Sequence, residues 1–364
     1  MRAPIFHTKK HNYTPEPEKL ECLEIISNTK KLATTTTNIP RTIIKNTQIG
    51  ASEEAISILS KPDAIRQMIK RVRNKKLGLK TLKADTIEEI EIPLELRTTH
   101  SGEKFYWDDS LDSNRIMIFT TKKNLQMLSD FSDWYADGTF DVSPTFFKQV
   151  YTIHVVVDYH AYPVLYALLP NKKQCTYKKF FRMVKSSVAK SPLSINIDYE
   201  KAVMNAASLV FGTECRINGC FFHFSQSIFR RVQTHGMFQD YFETKFRKTY
   251  KLLQALAFLP PDNVIEGFGM IRAQTTDKKG QALLDYFEKT YIGRLKPNSK
   301  TARMNARYPT KTWNVNERVK KKKPRTTNNL ESWHCQIQID EYQHLNIYKL
   351  VQKFRGEQSK MENE

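Results

Sequence analysis

Cysteine is scarce and scattered in this chain, and the absence of a cysteine cluster excludes several classes of protein. The five cysteines lie far apart, at Cys22, Cys175, Cys215, Cys220 and Cys335. They form no CxxC pair, so the sequence offers neither a zinc finger nor a disulfide framework, and this usage is typical of a reducing compartment. We therefore expect an intracellular protein.

Long apolar runs are also missing. The amino terminus, MRAPIFHTKKHNY, has no apolar core of the kind that a signal peptide requires. No apolar stretch reaches the roughly 18 residues that a membrane-spanning helix needs. With 40% hydrophobic and 11% aromatic residues, the 364 residues nevertheless include enough apolar side chains for a packed core. The sequence predicts a soluble folded protein without a membrane partner.

Acidic residues are too few to balance the basic ones. Asp and Glu number 38 against 58 Lys and Arg, which gives a net charge of +20 at pH 7. Such an excess favours a polyanionic partner, because each neutralised phosphate releases condensed counterions. Ribosomal, membrane-surface and heparin-binding proteins share this feature, so charge alone does not identify the partner. Charge and length together favour nucleic acid.

The first part of the chain divides into two regions. Residues 1–50 are polar and rich in threonine, and we expect part of this segment to be flexible. Residues 51–114 are predicted to be helical and basic, with Ser52 as an N-cap and Pro62 opening a second helix. The basic end of that helix, residues 70–76, fits either a DNA-contacting face or a solvated charged helix.

The remaining chain predicts an α/β domain. Residues 115–224 contain runs rich in Ile, Val, Tyr and Phe, in the order three strands, helix, strand, helix, strand. Residues 225–325 follow a helical pattern and end in a basic loop. Residues 326–364 include the start of a last helix, NLESWHCQIQIDEYQ. This order indicates a mixed sheet with a long helical insertion.

Three carboxylates stand out by their settings. Asp137 lies in the strand WYADGTF, Asp198 ends the strand SINIDY, and Glu331 follows the N-cap candidate Asn328 by three residues. A carboxylate that closes an apolar strand is costly to bury unless it is paired or bound to a metal. Such oxygen ligands can hold two Mg²⁺ ions roughly 3.5–4 Å apart for phosphodiester cleavage. Each acid alone is more often a turn or cap residue, and we interpret Asp158, in VVVDYH, as a turn acid.

Four motifs in order, ADGTF, IDYEKA, GCFFHF and TNNLESWH, resemble the transposase domain of Mutator-like elements, the MULE group of DDE transposases. The resemblance covers about residues 130–340. It implies a ribonuclease-H-like mixed sheet flanked by helices, with an all-helical insertion between the second and third catalytic acids. By motif matching, it implies that Asp137, Asp198 and Glu331 are the catalytic and metal-ligating residues, with two Mg²⁺ or Mn²⁺ ions as cofactors.

A C-x-x-H motif follows the second acid in that family, and Cys220 and His223 match it here. Two ligands cannot complete a tetrahedral zinc site. From the residues alone, a cysteine on a strand and a histidine near a helix start are ordinary core residues. The resemblance instead suggests that they support the active site, as it does for His334. Trp333, in the last motif, is expected to pack the final helix on the sheet.

A basic run, RVKKKKPR, lies directly before the last motif and supplies candidate DNA contacts. These are Arg318, Lys320, Lys321, Lys322, Lys323 and Arg325. A run of this kind serves as a nuclear-localisation signal or a phosphate clamp, or it is merely a solvated loop.

The resemblance implies a nuclear DNA transposase that cleaves strands at transposon ends and transfers them to a target. Its partners would be the double-stranded DNA of terminal inverted repeats and target sites, with a homo-oligomer expected in the DNA complex. Two alternatives stay open on the sequence. One is a domesticated, catalytically inactive DNA-binding protein derived from a transposase, and the other is an RNA-directed nuclease on the same fold.

Overall fold

The computed structural model describes residues 16–36, 38–76, 84–326 and 346–363. The chain forms two compact units, Met1–Lys83 and Ala84–Glu364. The boundary between them falls inside residues 51–114, which the sequence pattern groups together. Among the described helices, none is both long and apolar enough to cross a membrane.

The first unit is helical. Its helices are α1 (Pro17–Thr35), α2 (Pro40–Thr47), α3 (Glu53–Ile58) and α4 (Pro62–Lys76). The apolar faces of α1, α2 and α4 meet in a small core of Ala33, Ile43, Ile44, Ile65 and Ile69. As predicted, Ser52 caps α3, because its hydroxyl accepts a hydrogen bond from the Ala55 amide at 3.2 Å. Pro62 is the first residue of α4, a position where its missing N–H costs no helical hydrogen bond.

A seven-stranded mixed sheet forms the centre of the second unit. The strands are β1 (Tyr106–Asp109), β2 (Met117–Phe119), β3 (Asp133–Thr139), β4 (Gln149–Val157), β5 (His160–Leu169), β6 (Ser194–Ile197) and β7 (Arg216–Gly219). Their order in the sheet is β1-β2-β5-β4-β3-β6-β7. Adjacent strands in the series β1-β2-β5-β4-β3 are antiparallel, whereas β6 and β7 run parallel to β3. This arrangement is compatible with a ribonuclease-H-like fold.

Helices cover both faces of the sheet. They are α5 (Lys122–Asp130), α6 (Gln174–Ser187), α7 (Lys201–Phe211) and, near the end of the chain, α14 (Ile347–Asn363). On one face Tyr151 of β4 contacts Phe180 of α6, with ring centroids 5.4 Å apart. On the opposite face Tyr166 of β5 stacks on Phe354 of α14 at 4.5 Å. The predicted order of three strands, helix, strand, helix and strand corresponds to β3 through β7.

From β7 to residue 326, the named elements of the structure are all helical. The α-helices are α8 (Phe221–Thr234), α9 (Thr244–Ala255), α10 (Val264–Gln274), α11 (Lys278–Phe287), α12 (Thr310–Trp313) and α13 (Asn316–Lys320). Phe224 of α8 stacks on Trp313 of α12 with centroids 5.2 Å apart, and Tyr291 lies 5.0 Å from Phe224. Helices α8 to α11 lie in residues 221–287, and the short helices α12 and α13 lie in the segment for which the sequence predicts a basic loop. The role of these helices as an insertion before the third acid stays a prediction, since Glu331 lies outside the described residues.

Candidate active site

Asp137 and Asp198 lie at the same end of two neighbouring strands. Asp137 is near the carboxyl end of β3, and Asp198 directly follows β6. The two strands are parallel, with Tyr135 opposite Asn196. Two residues further along both strands, the side chains at 137 and 198 extend from the same face of the sheet. Both residues line one cleft of about 70 Å³.

Asp137 is a buried acid beside a second acid. Burial raises the pKa of its carboxyl well above the usual range, and the negative charge of Asp198 raises it further. The Gly138 amide, which donates to Asp137 Oδ1 at 2.7 Å, acts in the opposite direction. Because a buried carboxylate and a half-buried neighbour repel when both are ionised, the pair favours a cation between them.

The donor chemistry of this pair fits a divalent metal ion. Carboxylate oxygens are hard ligands of the kind that Mg²⁺ and Mn²⁺ prefer. Within the described ranges, no group of three or more Asp, Glu, His or Cys side chains is arranged as a metal site. Glu331, the predicted third ligand, and His334 lie outside those ranges. Asp137 and Asp198 are thus the two predicted ligands that the structure brings together.

The C-x-x-H residues approach Asp198 from α8. Cys220 is the buried N-cap residue of α8, and His223 lies in the first turn of that helix. His223 Nδ1 is 2.6 Å from Asp198 Oδ1. Burial lowers the pKa of His223, but the hydrogen bonds to Asp198 and Cys220 outweigh it and raise the pKa to about 10. The imidazole is therefore protonated at neutral pH and offsets the charge of Asp198.

Replacing His223 by alanine is expected to cost stability in a pH-dependent way. The folded-state pKa of about 10 lies above the ordinary 6.5, so the contact stabilises fully below pH 6.5 and is lost towards pH 10. The difference from the wild type in free energy of unfolding should be about 1.5–3 kcal/mol at pH 6 and shrink as the pH rises. Urea unfolding in EDTA at several pH values measures it.

His160 provides the matched control for this experiment. It is exposed at the start of β5, and the alanine variant should show no comparable pH-dependent loss. If the His223→Ala loss is the same at pH 6 and pH 10, the ion pair with Asp198 does not contribute as described.

The cleft also contains polar residues that sequence reasoning missed. Glu200, the N-cap residue of α7, lines the cleft two positions after Asp198. Lys172 Nζ lies 3.3 Å from its Oε2. Gln149 Oε1 lies so close to Gly138 that a Cβ there would approach it to 2.6 Å. The signal for Glu200 was available, since it is part of the IDYEKA motif, whereas Lys172 and Gln149 belong to no motif.

The predicted DNA-contacting run includes residues turned into the protein. Arg318 is buried, and its guanidinium donates to Asn196 Oδ1 at 3.2 Å and to the Gly219 carbonyl at 2.9 Å. Lys323 forms an ion pair with Asp133 at the start of β3. Both side chains therefore hold the loop against the sheet. This placement argues against a direct DNA contact by Arg318.

The rest of the run is open to solvent. Its exposed cations are Lys320, Lys321, Lys322 and Arg325. The Phe221 amide donates to the Arg325 carbonyl at 3.0 Å, so the run ends beside the first turn of α8, which carries His223. Contacts of these cations with DNA stay a prediction.

Arg318→Ala is expected to destabilise the fold, unlike changes at its exposed neighbours. It leaves the acceptors on Asn196 and Gly219 without their donor, and an unsatisfied buried acceptor costs about 1–3 kcal/mol. Lys320→Ala, at an exposed position, should change the free energy of unfolding by less than about 0.5 kcal/mol. Equal urea midpoints for the two variants would contradict a sheet-supporting role for Arg318.

Comparison with known proteins supports the resemblance seen in the motifs. Residues 134–227 match the family model of the MULE transposase domain. A search of curated proteins found no match. The matched segment contains Asp137, Asp198, Cys220 and His223 and ends within α8, whereas Glu331 lies beyond it. The predicted resemblance is confirmed for this segment of the chain.

Proposed function

From the MULE transposase domain at residues 134–227, we propose that this protein is a DDE-type DNA transposase. It cleaves DNA strands at transposon ends and joins the freed 3′-hydroxyl to target DNA. The observation that carries the proposal is the pair Asp137 and Asp198, which share one cleft at the ends of two parallel strands. Two acids in this setting are the oxygen donors that phosphodiester chemistry with Mg²⁺ or Mn²⁺ requires.

In this proposal Asp137 and Asp198 hold the divalent ions through their carboxylate oxygens, and Glu331 completes the set. When bound, such ions lower the pKa of water and stabilise charge on phosphate oxygens. The protonated His223 forms an ion pair with Asp198, with Nδ1 2.6 Å from Oδ1, and so offsets the charge of that carboxylate. Cys220 in turn hydrogen-bonds to His223, which supports a positioning role for the C-x-x-H pair.

The position of α14 supports Glu331 as the third acid. Asp137 is paired with Thr152, and Thr152 with Tyr166, so these three side chains share a face of the sheet. Tyr166 stacks on Phe354 of α14. The helix that follows Glu331 in the chain thus covers the face on which the first two acids lie.

The charge of the chain supports DNA as the substrate and the nucleus as the location. The net charge is +20, and the exposed part of the basic run lies beside the start of α8. Exposed lysine-rich runs are typical both of phosphate contacts and of nuclear-localisation signals. A homo-oligomer on paired transposon ends is part of the same proposal.

Strand cleavage tests the proposal. The purified protein is incubated with Mg²⁺ or Mn²⁺ and end-labelled duplexes that carry the inverted repeats flanking its gene. We expect nicks with 3′-hydroxyl ends and their transfer into a plasmid. DNA binding without any cleavage would instead indicate a domesticated DNA-binding protein. Cleavage of an RNA–DNA hybrid in preference to duplex DNA would indicate an RNA-directed nuclease.

A further inference from the structure

A second, larger cleft lies beside the amino-terminal end of α7. Glu200 and Val203 line the cleft of the two acids, whereas Lys201 and Met204 line the second one. The second cleft has a volume of about 450 Å³ and is bounded by α7, the start of β7 and the segment that enters α12. The first turn of α7 therefore borders both clefts.

The second cleft is basic and its charges are not compensated. Lys201, Arg216 and Lys311 line it, and Arg307 lies next to Tyr308, which also lines it. All four side chains are exposed, and among the residues that the structure describes none of them pairs with a carboxylate. Partial burial and the positive charge of Arg307 lower the pKa of Lys201. Crowding of like charges without acids is unfavourable unless an anion is bound between them.

Tyr308 connects this basic cleft to the loop after β6 that carries Asp198. Lys201 Nζ lies 5.1 Å and Arg307 Cζ 5.5 Å from the centroid of its ring, so one aromatic side chain positions two cations. Its hydroxyl donates to the Tyr199 carbonyl at 2.5 Å. Tyr199 directly follows Asp198 in the chain. The end of the cleft is thus fixed to the loop that carries the second acid.

We propose that this basic groove, formed by Lys201, Arg216, Arg307 and Lys311, binds the phosphodiester backbone of DNA outside the scissile position. Several uncompensated cations along an open cleft match a chain of phosphates better than a single small anion. The choice of DNA rests on the proposed function, because one helix end borders both this groove and the acid cleft. A strand that reaches the acids can continue across α7 into the groove.

The test measures binding of duplex DNA by fluorescence anisotropy in EDTA over a range of salt concentrations. The double variant Lys201→Gln with Lys311→Gln removes two groove cations. The control, Lys190→Gln with Lys251→Gln, removes two exposed lysines elsewhere in the same unit. We expect the groove variant to bind DNA on the order of tenfold more weakly. The slope of its log binding constant against log salt concentration should be smaller in magnitude by about 2. The control should stay within about twofold of the wild type.

The outcomes separate this inference from the proposed function. Equal losses of DNA affinity in both double variants would show an effect of net charge only and would contradict DNA binding by the groove. Wild-type affinity and salt slope in the groove variant would also overturn it. Groove-dependent binding by a protein that never cleaves DNA with Mn²⁺ would refute the transposase and leave the groove standing. Because binding is measured without divalent metal, loss of the acid site does not affect it.

Discussion

Asp137→Asn is expected to abolish metal-dependent DNA cleavage, with a rate loss of about 10³-fold or more. The substitution keeps the shape of the side chain but removes an anionic oxygen donor from the cleft shared with Asp198. Metal ligation contributes several kcal/mol to phosphoryl chemistry, and about 4 kcal/mol corresponds to about 10³-fold in rate. Asp198→Asn should have a similar effect. Because both acids serve one site, the double variant should lose little more than either single variant.

The turn acid Asp158 supplies the matched control for cleavage. It lies between β4 and β5 with a φ of 46°, a conformation that asparagine adopts as readily as aspartate. Asp158→Asn removes the same charge by the same isosteric change and should cleave at nearly the wild-type rate. If it loses as much activity as Asp137→Asn, the assignment of ligand and turn acid is wrong. Unchanged cleavage by both Asp137→Asn and Asp198→Asn would remove the acid pair from the mechanism.

Asp137→Asn should stabilise the metal-free protein at neutral pH. The folded-state pKa of Asp137 lies well above its unfolded value, because the side chain is buried beside Asp198. A group with a raised pKa stabilises the fold below its unfolded pKa, and this contribution is lost as the pH rises through the folded pKa. At neutral pH the titratable aspartate therefore costs stability relative to a neutral side chain, and asparagine removes that cost. The melting temperature in EDTA should be higher for Asp137→Asn, and the gap should widen from pH 4 upward.

Addition of Mn²⁺ should reverse the order of the melting temperatures of Asp137→Asn and the wild type. An ion at 100 times its dissociation constant stabilises the folded state by about 2.7 kcal/mol, and only the wild type has the complete pair to bind it. The wild type should therefore gain more from Mn²⁺ than Asp137→Asn does in the same thermal scans. Two results together would contradict this. If Asp137→Asn melts below the wild type in EDTA, and Mn²⁺ raises both melting temperatures equally, the charge of Asp137 is already compensated and the ion binds elsewhere.

Much of the sheet could be predicted because its signals are local. Strands β3 to β6 follow apolar runs, and turn residues separate several of these runs. Strand β1 was not predicted, since its sequence YWDD is polar and half-buried. Its acid Asp109 is held by Arg115, which also bonds to the carbonyls of Ile87 and Glu88. Those contacts come from other parts of the chain, so no local pattern reveals them.

The site depends even more on contacts between distant segments. The sequence marks Asp137 and Asp198 as strand acids, but their shared cleft depends on the register of β3 against β6. The basic run looks uniform in the sequence, yet Arg318 is buried because acceptors on Asn196 and Gly219 lie beneath it. Motif matching finds residues that a family shares. It cannot tell which cations of a run point inward.

Calorimetric titration with Mn²⁺ tests most directly whether Asp137 and Asp198 hold a metal ion together. The wild type, Asp137→Asn, Asp198→Asn and the Asp158→Asn control are titrated under the same conditions at neutral pH. We predict binding by the wild type and the control, and strongly reduced binding by each of the other two variants. Absence of binding by the wild type, or equal binding by all four proteins, would contradict this prediction.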